Sequence, residues 1–450
     1  MTRGTLFRLS VTAAIFLLCV NSARSDEVRR LTLSEAVHLA LEQNRTLKIA
    51  RYKVKENEER KVGARSTYFP TITNQSNVLH ISELQNIVIP PGSLGTAAGA
   101  SIPPQSIAVS QGKQTLISSG TMIAQPLTQL LRIHQENRIA AAEVATSRDE
   151  LKNAEDEIAL EVHTLYFAIL VAQLQKKAAE QETSFAAESL RENENDIRHG
   201  SALQVAEIQS RAEFLQGQQS VLTAQLQIAD YITELNDRLG LPLDTKLELA
   251  PEVSTNFETL SKAEYVKAAW DENPEIRAAE EAVTKARAGV AAAKTAYIPD
   301  ITAYARHSYQ DGVPFFVRNF GTVGVNLNYT LWDFGKRRAA VREHADQLAE
   351  AEQNLERLKE QVEVERSYNK LERTRSMVNV ATQVAKLRQE SERLTTDQTA
   401  QGIVLISDVK HATAANYKAK ADLLQATLGY ALAWAELQRT VGQAPGLGTP

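Results

Sequence analysis

The sequence predicts a mixed α and β fold that is internally duplicated, with two pairs of strands set between very long helices of coiled-coil type. Three observations carry this. The stretch from Leu31 to Ile72 recurs without gaps at Leu260 to Ile301, a fixed shift of 229 residues. Each copy runs from an amphipathic helical segment through an aromatic and a proline into polar, strand-like sequence, because the residue before proline is pushed out of the helical region. Beyond each strand pair comes a run free of proline and glycine, 68 residues from Arg132 to His199 and 66 from Lys336 to Gln401. At 1.5 Å per residue such runs make helices of about 100 Å.

The shift pairs Leu31 with Leu260, Glu35 with Glu264, Asn44 with Asn273, Tyr68 with Tyr297 and Pro70 with Pro299. A chain of 450 residues has room for several domains, but the duplication argues for one architecture in two halves. Residues 1–25 form a secretory signal, 26–250 a first repeat, 251–442 a second, and 443–450 a tail. The signal has Arg3 and Arg8 before the apolar run Leu9 to Val20, then the small residues around Ala23 and Ser25. That run falls short of the roughly 20 residues a spanning helix needs. Leu18 stands before Cys19 where lipidation wants a small residue, so no lipid anchor is expected.

Cys19 is the only cysteine, so no disulfide supports the chain after the signal. With three of the 50 Lys and Arg residues inside the signal, 47 bases face 55 acids beyond it, a net charge of about −8. That balance argues against a nucleic-acid partner. No window after the signal holds 18 consecutive apolar residues, so membrane insertion would have to be by strands.

Within each repeat the first helix spans Leu31 to Ser66, with Thr32 or Ser34 as cap and Glu35 as capping-box partner. Asn44 marks a bend, and Asn273, which precedes Pro274, marks its counterpart. Strands are predicted at about Thr71 to Ile87 and Ile107 to Gln125, around a Gly, Ala and Pro loop from Pro90 to Pro104. In the second repeat they span Asp300 to Gln310 and Arg318 to Leu331, around a loop at Asp311 to Pro314. Val323, Val325, Leu327, Tyr329 and Leu331 alternate with Gly324, Asn326, Asn328 and Thr330, so one face meets apolar surroundings and the other water. A soluble sandwich and a membrane barrel both satisfy that pattern. Tyr68, Phe69, Tyr297, Tyr329, Trp332 and Phe334 fall at strand ends, as an interfacial belt would, and as strand-ending aromatics of any fold do. Four strands cannot close a membrane barrel, which needs at least eight, so a barrel would oblige the chain to oligomerise.

Each long helix stops at a glycine, Gly200 or Gly402, and returns as a second helix, Ala202 to Leu239 or Val404 to Val441. Leu348, Leu355 and Val362, and likewise Ile208, Leu215 and Leu222, keep the seven-residue spacing of coiled-coil packing. The first helix and the return helix together match the length of the long one, so they fit end to end beside it. No enzyme, cofactor or metal is expected. The eight histidines are scattered, no Gly-x-Ser-x-Gly elbow appears, and no glycine loop for phosphate follows a strand.

The signal, the doubled helix starts, Asn44 and Asn273, the Tyr-Phe-Pro and Tyr-Ile-Pro junctions, the segment Leu331 to Lys336 and the glycine-turned hairpins together resemble the TolC-type outer membrane efflux proteins. The resemblance covers essentially the whole chain after the signal. It implies a homotrimer with a 12-stranded barrel in the outer membrane lipid, four strands per chain, continued by an α-helical barrel across the periplasm of a Gram-negative cell. The implied activity is passive conduction of substrates from an inner-membrane pump and a periplasmic adaptor protein, in efflux or type I secretion. The turns at Gly200, Ser201, Gly402 and Ile403 would receive the adaptor. Where the family pattern has acids six and nine residues after the second turn glycine, this chain has Asp408 and His411. Three Asp408 side chains would form a cation-attracting ring, and protonated His411 would add positive charge to the gate. On the residues alone, Asp408 instead favours the first turn of its helix, with Ser407 as an alternative cap, and His411 is a solvated helix residue. The family's tyrosine and arginine about this turn are Thr399 and Val404 here, so its closed-state bonding does not carry over. A soluble periplasmic coiled-coil adaptor would also explain the helices, but not four strands in two pairs.

Overall fold

The computed structural model describes residues 29–201, 203–251, 257, 259–313, 316–360 and 362–443. The signal at 1–25, residues 444–450 of the tail and Pro314 of the second loop lie outside these, as does the side chain of Val362. In chain order the helices are α1 (Leu33–Gln43), α2 (Arg45–Ser66), α3 (Leu130–Arg198), α4 (Gln204–Leu239), α5 (Lys262–Glu272), α6 (Pro274–Thr295), α7 (Lys336–Lys359), α8 (Val362–Ala400) and α9 (Ile406–Thr440). The long strands are β2 (Thr71–His80), β7 (Thr115–Pro126), β9 (Asp300–Asp311) and β10 (Asn319–Asn328). Short strands are β1 (Arg29–Leu31), β3 (Ile87–Ile89), β4 (Thr96–Ala97), β5 (Ala100–Ser101), β6 (Ile107–Val109) and β8 (Leu247–Leu249). The chain divides into two compact units, one holding residues up to Val54, Ser147–Ala278 and those from Glu356, the other Lys55–Thr146 and Ala279–Leu355.

The second unit is built on an antiparallel sheet of order β10-β9-β7-β2. Its apolar alternation is as predicted: Val323, Val325 and Leu327 share one face and are 87, 66 and 63 % exposed. The strands are shorter than composition suggests. β2 ends at His80 rather than near Ile87, and β7 begins at Thr115. Gly112 takes a φ of +124°, where the Ser110 hydroxyl accepts its amide at 3.2 Å, and this turn ends the ladder. Beyond it β3 pairs with β6 on either side of the predicted Gly, Ala and Pro loop, and β4 pairs with β5 inside it. β10 ends at Asn328, which leaves Tyr329 and Leu331 outside the strand.

The first unit repeats one joint twice. Thr32 and Glu35 form the predicted capping box at α1, with the Thr32 amide 2.9 Å from the Glu35 carboxylate, and Ser261 and Glu264 form its like at α5. At Asn44 the helix breaks. The Asn44 side chain accepts the Thr46 amide at 2.8 Å and donates to the Arg238 carbonyl at 2.9 Å. Asn273 accepts from Glu275 at 2.7 Å and donates to Thr440 at 2.7 Å. One amide thus caps the next helix and holds the end of a returning one. Gly240 then sits against the Gln43 carbonyl and Gly442 against that of Glu272, which brings α4 to the α1–α2 junction and α9 to the α5–α6 junction.

Two apolar clusters fill this unit. Leu47, Val162, Tyr166, Ile169, Leu235 and Leu239 lie in the first, and Tyr265, Leu371, Leu437 and Val441 in the second. The parallel pair β1–β8, absent from the sequence reading, closes the first cluster: the Tyr166 hydroxyl reaches both Leu31 O at 3.0 Å and Ala250 O at 2.7 Å. α3 contains a window long and apolar enough by composition to cross a membrane, and more than half of it is buried inside the protein, as in a core helix. Burial pushes the pKa of His163, which lies in α3 and is 2 % exposed, down to about 4, and its Nδ1 has no hydrogen-bond partner among the described residues. Burial raises the Asp156 carboxyl, against the pull of Lys152 at 2.7 Å, and raises Glu161 against Arg238.

The run predicted as one helix from Lys336 to Gln401 is two, interrupted between Lys359 and Val362. Neither glycine nor proline causes this. The Trp270 indole of α5 donates to the Lys359 carbonyl at 3.4 Å beside this break.

Candidate functional site

Two regions hold the residues singled out above. The first is the tips of the hairpins α3–α4 and α8–α9. Gly200 has φ +77° and Gly402 +73°, with nothing near where a Cβ would stand, so glycine is required by conformation and not by space. The Gly200 and Ser201 amides bond to Ile197 O and Asp196 O, and those of Gly402 and Ile403 to Thr399 O and Gln398 O. Both turns are therefore Schellman motifs. After each the chain presents exposed apolar residues, Leu203, Val205 and Ile208 in one and Ile403, Leu405 and Ile406 in the other.

The tips are joined to each other. Glu192 of α3 accepts the Ser407 amide of α9 at 3.2 Å, and Phe185 of α3 meets His411 edge to face at 5.2 Å. Asn416 of α9 bonds to Glu392 of α8. Asp408 is exposed and lies in the first turn of α9, where its Oδ2 accepts the Leu405 amide at 3.1 Å; Leu405, not Ser407, is the N-cap residue. Its Oδ1 has no hydrogen-bond partner among the described residues. His411 is exposed too, but its ring rests on Phe185 instead of standing free in solvent. Glu192 and Phe185 were not legible in the sequence, since they act on residues more than 200 positions away.

The second region is an aromatic collar in the other unit. Tyr68 and Phe69 precede β2, Tyr297 precedes β9, and Tyr329, Trp332 and Phe334 follow β10, so all six gather at one end of the sheet. Asp333 caps α7 by accepting the Gly335 and Arg337 amides at 3.0 and 3.1 Å, and takes the Arg337 guanidinium at 2.6 Å. Arg337 in turn lies over the rings of Tyr329 at 5.2 Å and Tyr297 at 5.5 Å. Between them Phe334 is held at φ +54°, unusual for a bulky residue, with its ring 92 % exposed beside that of Trp332, 74 % exposed.

The family model described as outer membrane efflux protein matches residues 36–241 and 265–443. The chain belongs to the outer membrane efflux protein family. Membership bears out an outer membrane location with a periplasmic part, and a channel of the efflux and secretion type. The alkaline protease secretion protein AprF of Pseudomonas aeruginosa is 24 % identical over 318 residues, which span 68 % of this chain and 65 % of AprF. The outer membrane efflux protein BepC of Brucella suis is 25 % identical over 403 residues, 84 % of this chain and 78 % of BepC. In fold the chain resembles the crystal structure of the Campylobacter jejuni CmeC outer membrane channel, with TM-score 0.72 at 15 % identity over 91 % of this chain and 85 % of CmeC. For an outer membrane efflux protein the collar falls where strands meet helices, and the tips carry the apolar ends.

Proposed function

We propose that three copies of this chain join head to tail into a 12-stranded outer membrane barrel with a helical duct below it, through which an inner-membrane pump and its adaptor pass substrates outward. The observation that carries this is the pair of unfilled edges. β10 and β2 end the sheet, and they run in opposite directions, so β10 of one copy pairs antiparallel with β2 of the next. A head-to-tail contact that repeats around an axis closes into a ring and leaves no edge in lipid. The helices favour the same arrangement. The Ile208, Leu215 and Leu222 stripe of α4 and the Met377, Val380, Val384 and Leu387 stripe of α8 are exposed in the single chain, although their spacing is that of packed helices. A neighbouring copy supplies the missing partner for each.

The matched joints at Asn44 and Asn273 and the matched turns at Gly200 and Gly402 support a duplication in which each half provides two strands and one hairpin. Gly200, Ser201, Gly402 and Ile403, with the apolar residues after them, offer the adaptor its surface. Three Asp408 carboxylates, each with one oxygen outside its capping bond, form the cation-attracting ring of the gate. Purified protein from detergent-extracted outer membranes should run as a heat-sensitive trimer and conduct ions across planar bilayers, and Asp408→Asn should lower its cation preference. A soluble monomer in the periplasmic fraction would refute the assembly. Conductance of His411→Ala against the parent over pH 5 to 8 tests the histidine, and identical profiles exclude it from the gate.

A further inference from the structure

The sheet carries one fixed charge that the channel reading does not use. The face opposite Val323 and Val325 comprises Thr73, Gln75 and Asn77 of β2, Ser118, Gly120 and Met122 of β7, Tyr304, Arg306 and Ser308 of β9, and Phe320, Thr322 and Asn326 of β10. Arg306 is its only charged residue between the strand ends. It stands in mid-strand, opposite Met122 on one side and Thr322 on the other. Its guanidinium lies over Gly120, where an added Cβ would come within 2.7 Å of Nη2 and 2.9 Å of Nε. The cation therefore has a seat along the wall, and a side chain at 120 would displace it.

Its surroundings leave it unneutralised. Among the described residues no acid is within ion-pair distance of Arg306. Asp311, at the far end of β9, is taken by Lys113 at 2.8 Å and Arg318 at 3.5 Å. Asp300, on the same face at the first residue of β9, lines a pocket with Arg132, Lys336 and Arg337. Six residues separate it from Arg306, about 20 Å at the rise of a strand, or about two Debye lengths in 0.1 M salt.

We propose that Arg306 makes an anion-attracting collar inside the barrel and biases the duct toward anionic solutes, those bearing carboxylate or phosphate groups. This rests on the trimer proposed above. Twelve strands spaced about 4.8 Å apart and tilted about 40° enclose a backbone radius of about 12 Å. A guanidinium lying along the wall is then about 9 Å from the axis, inside one Debye length, so a solute on the axis senses all three cations together. Rings of arginine select for anions as rings of carboxylate select for cations. The collar and the Asp408 ring thus act with opposite sign.

The test compares the parent, Arg306→Gln and Arg306→Lys as purified trimers in planar bilayers under a tenfold potassium chloride gradient. The reversal potential of Arg306→Gln should move toward that of potassium, a fall of about threefold in the chloride-to-potassium permeability ratio, at unchanged trimer yield. Arg306→Lys keeps the charge and should stay near the parent. An Arg306→Gln trimer that conducts with the parent's reversal potential overturns the collar and leaves the channel reading intact. A parent without trimer or conductance overturns both.

Discussion

The buried imidazole of His163 sets a pH dependence that a single substitution should remove. Its folded-state pKa of about 4 lies below the ordinary value of 6.5, so the unfolded chain binds the proton more readily than the folded one. Its contribution is therefore fully present above pH 6.5 and is lost as pH falls from 6.5 toward 4. Between pH 7.5 and 5 linkage gives a loss of about 2 kcal/mol from this one group. Asp156 and Glu161, whose pKa values are raised by burial, act in the opposite sense over part of the range, so the parent's own curve mixes all three. His163→Leu isolates the imidazole. It also removes the buried Nδ1 that lacks a partner, a relief of about 1 to 3 kcal/mol that offsets any loss of packing on Phe167. Urea unfolding of the detergent-purified protein in a Trp332→Phe background leaves Trp270 and Trp434, both in the unit of His163, as reporters. The stability of the variant relative to the parent should grow by about 2 kcal/mol from pH 7.5 to 5. Parallel curves for the two proteins across that range would refute the reasoning.

Two further outcomes follow from the joints and turns. Gly402 and Gly442 have nearly equal positive φ, +73° and +78°, but only at Gly442 would a methyl group fall on backbone, the Glu272 carbonyl. Gly402→Ala should cost about 1 to 2 kcal/mol in urea unfolding and still assemble, whereas Gly442→Ala should abolish the folded trimer on a native gel. Asn44→Ala and Asn273→Ala each lose a helix cap and a bond to a distant carbonyl, and each should cost about 2 kcal/mol by the same urea assay.

What the sequence made legible was mostly local. Asn44 and Asn273 announce bends because asparagine caps a helix from inside its own chain segment, and Gly200 and Gly402 announce turns because a left-handed residue must follow the helix. The strand ends were misplaced because Val, Ile and Ser continue past His80 in much the same composition, while the ladder stops at a conformation, that of Gly112. β1–β8 joins three-residue strands more than 200 residues apart, a pairing that no local pattern encodes. At the tips the same division holds. The turn glycines could be placed from the sequence and Asp408 from the family resemblance, but Glu192 and the stacking of Phe185 on His411 belong to tertiary packing. The stripe Ile208, Leu215 and Leu222 was read correctly as apolar, yet the surface it is meant to meet is absent from the single chain.

The two asparagine joints tie local bends to distant closure. Asn44 donates to a carbonyl 194 residues further along the chain and Asn273 to one 167 residues further, so each bend finds its last partner only when the returning helix is in place.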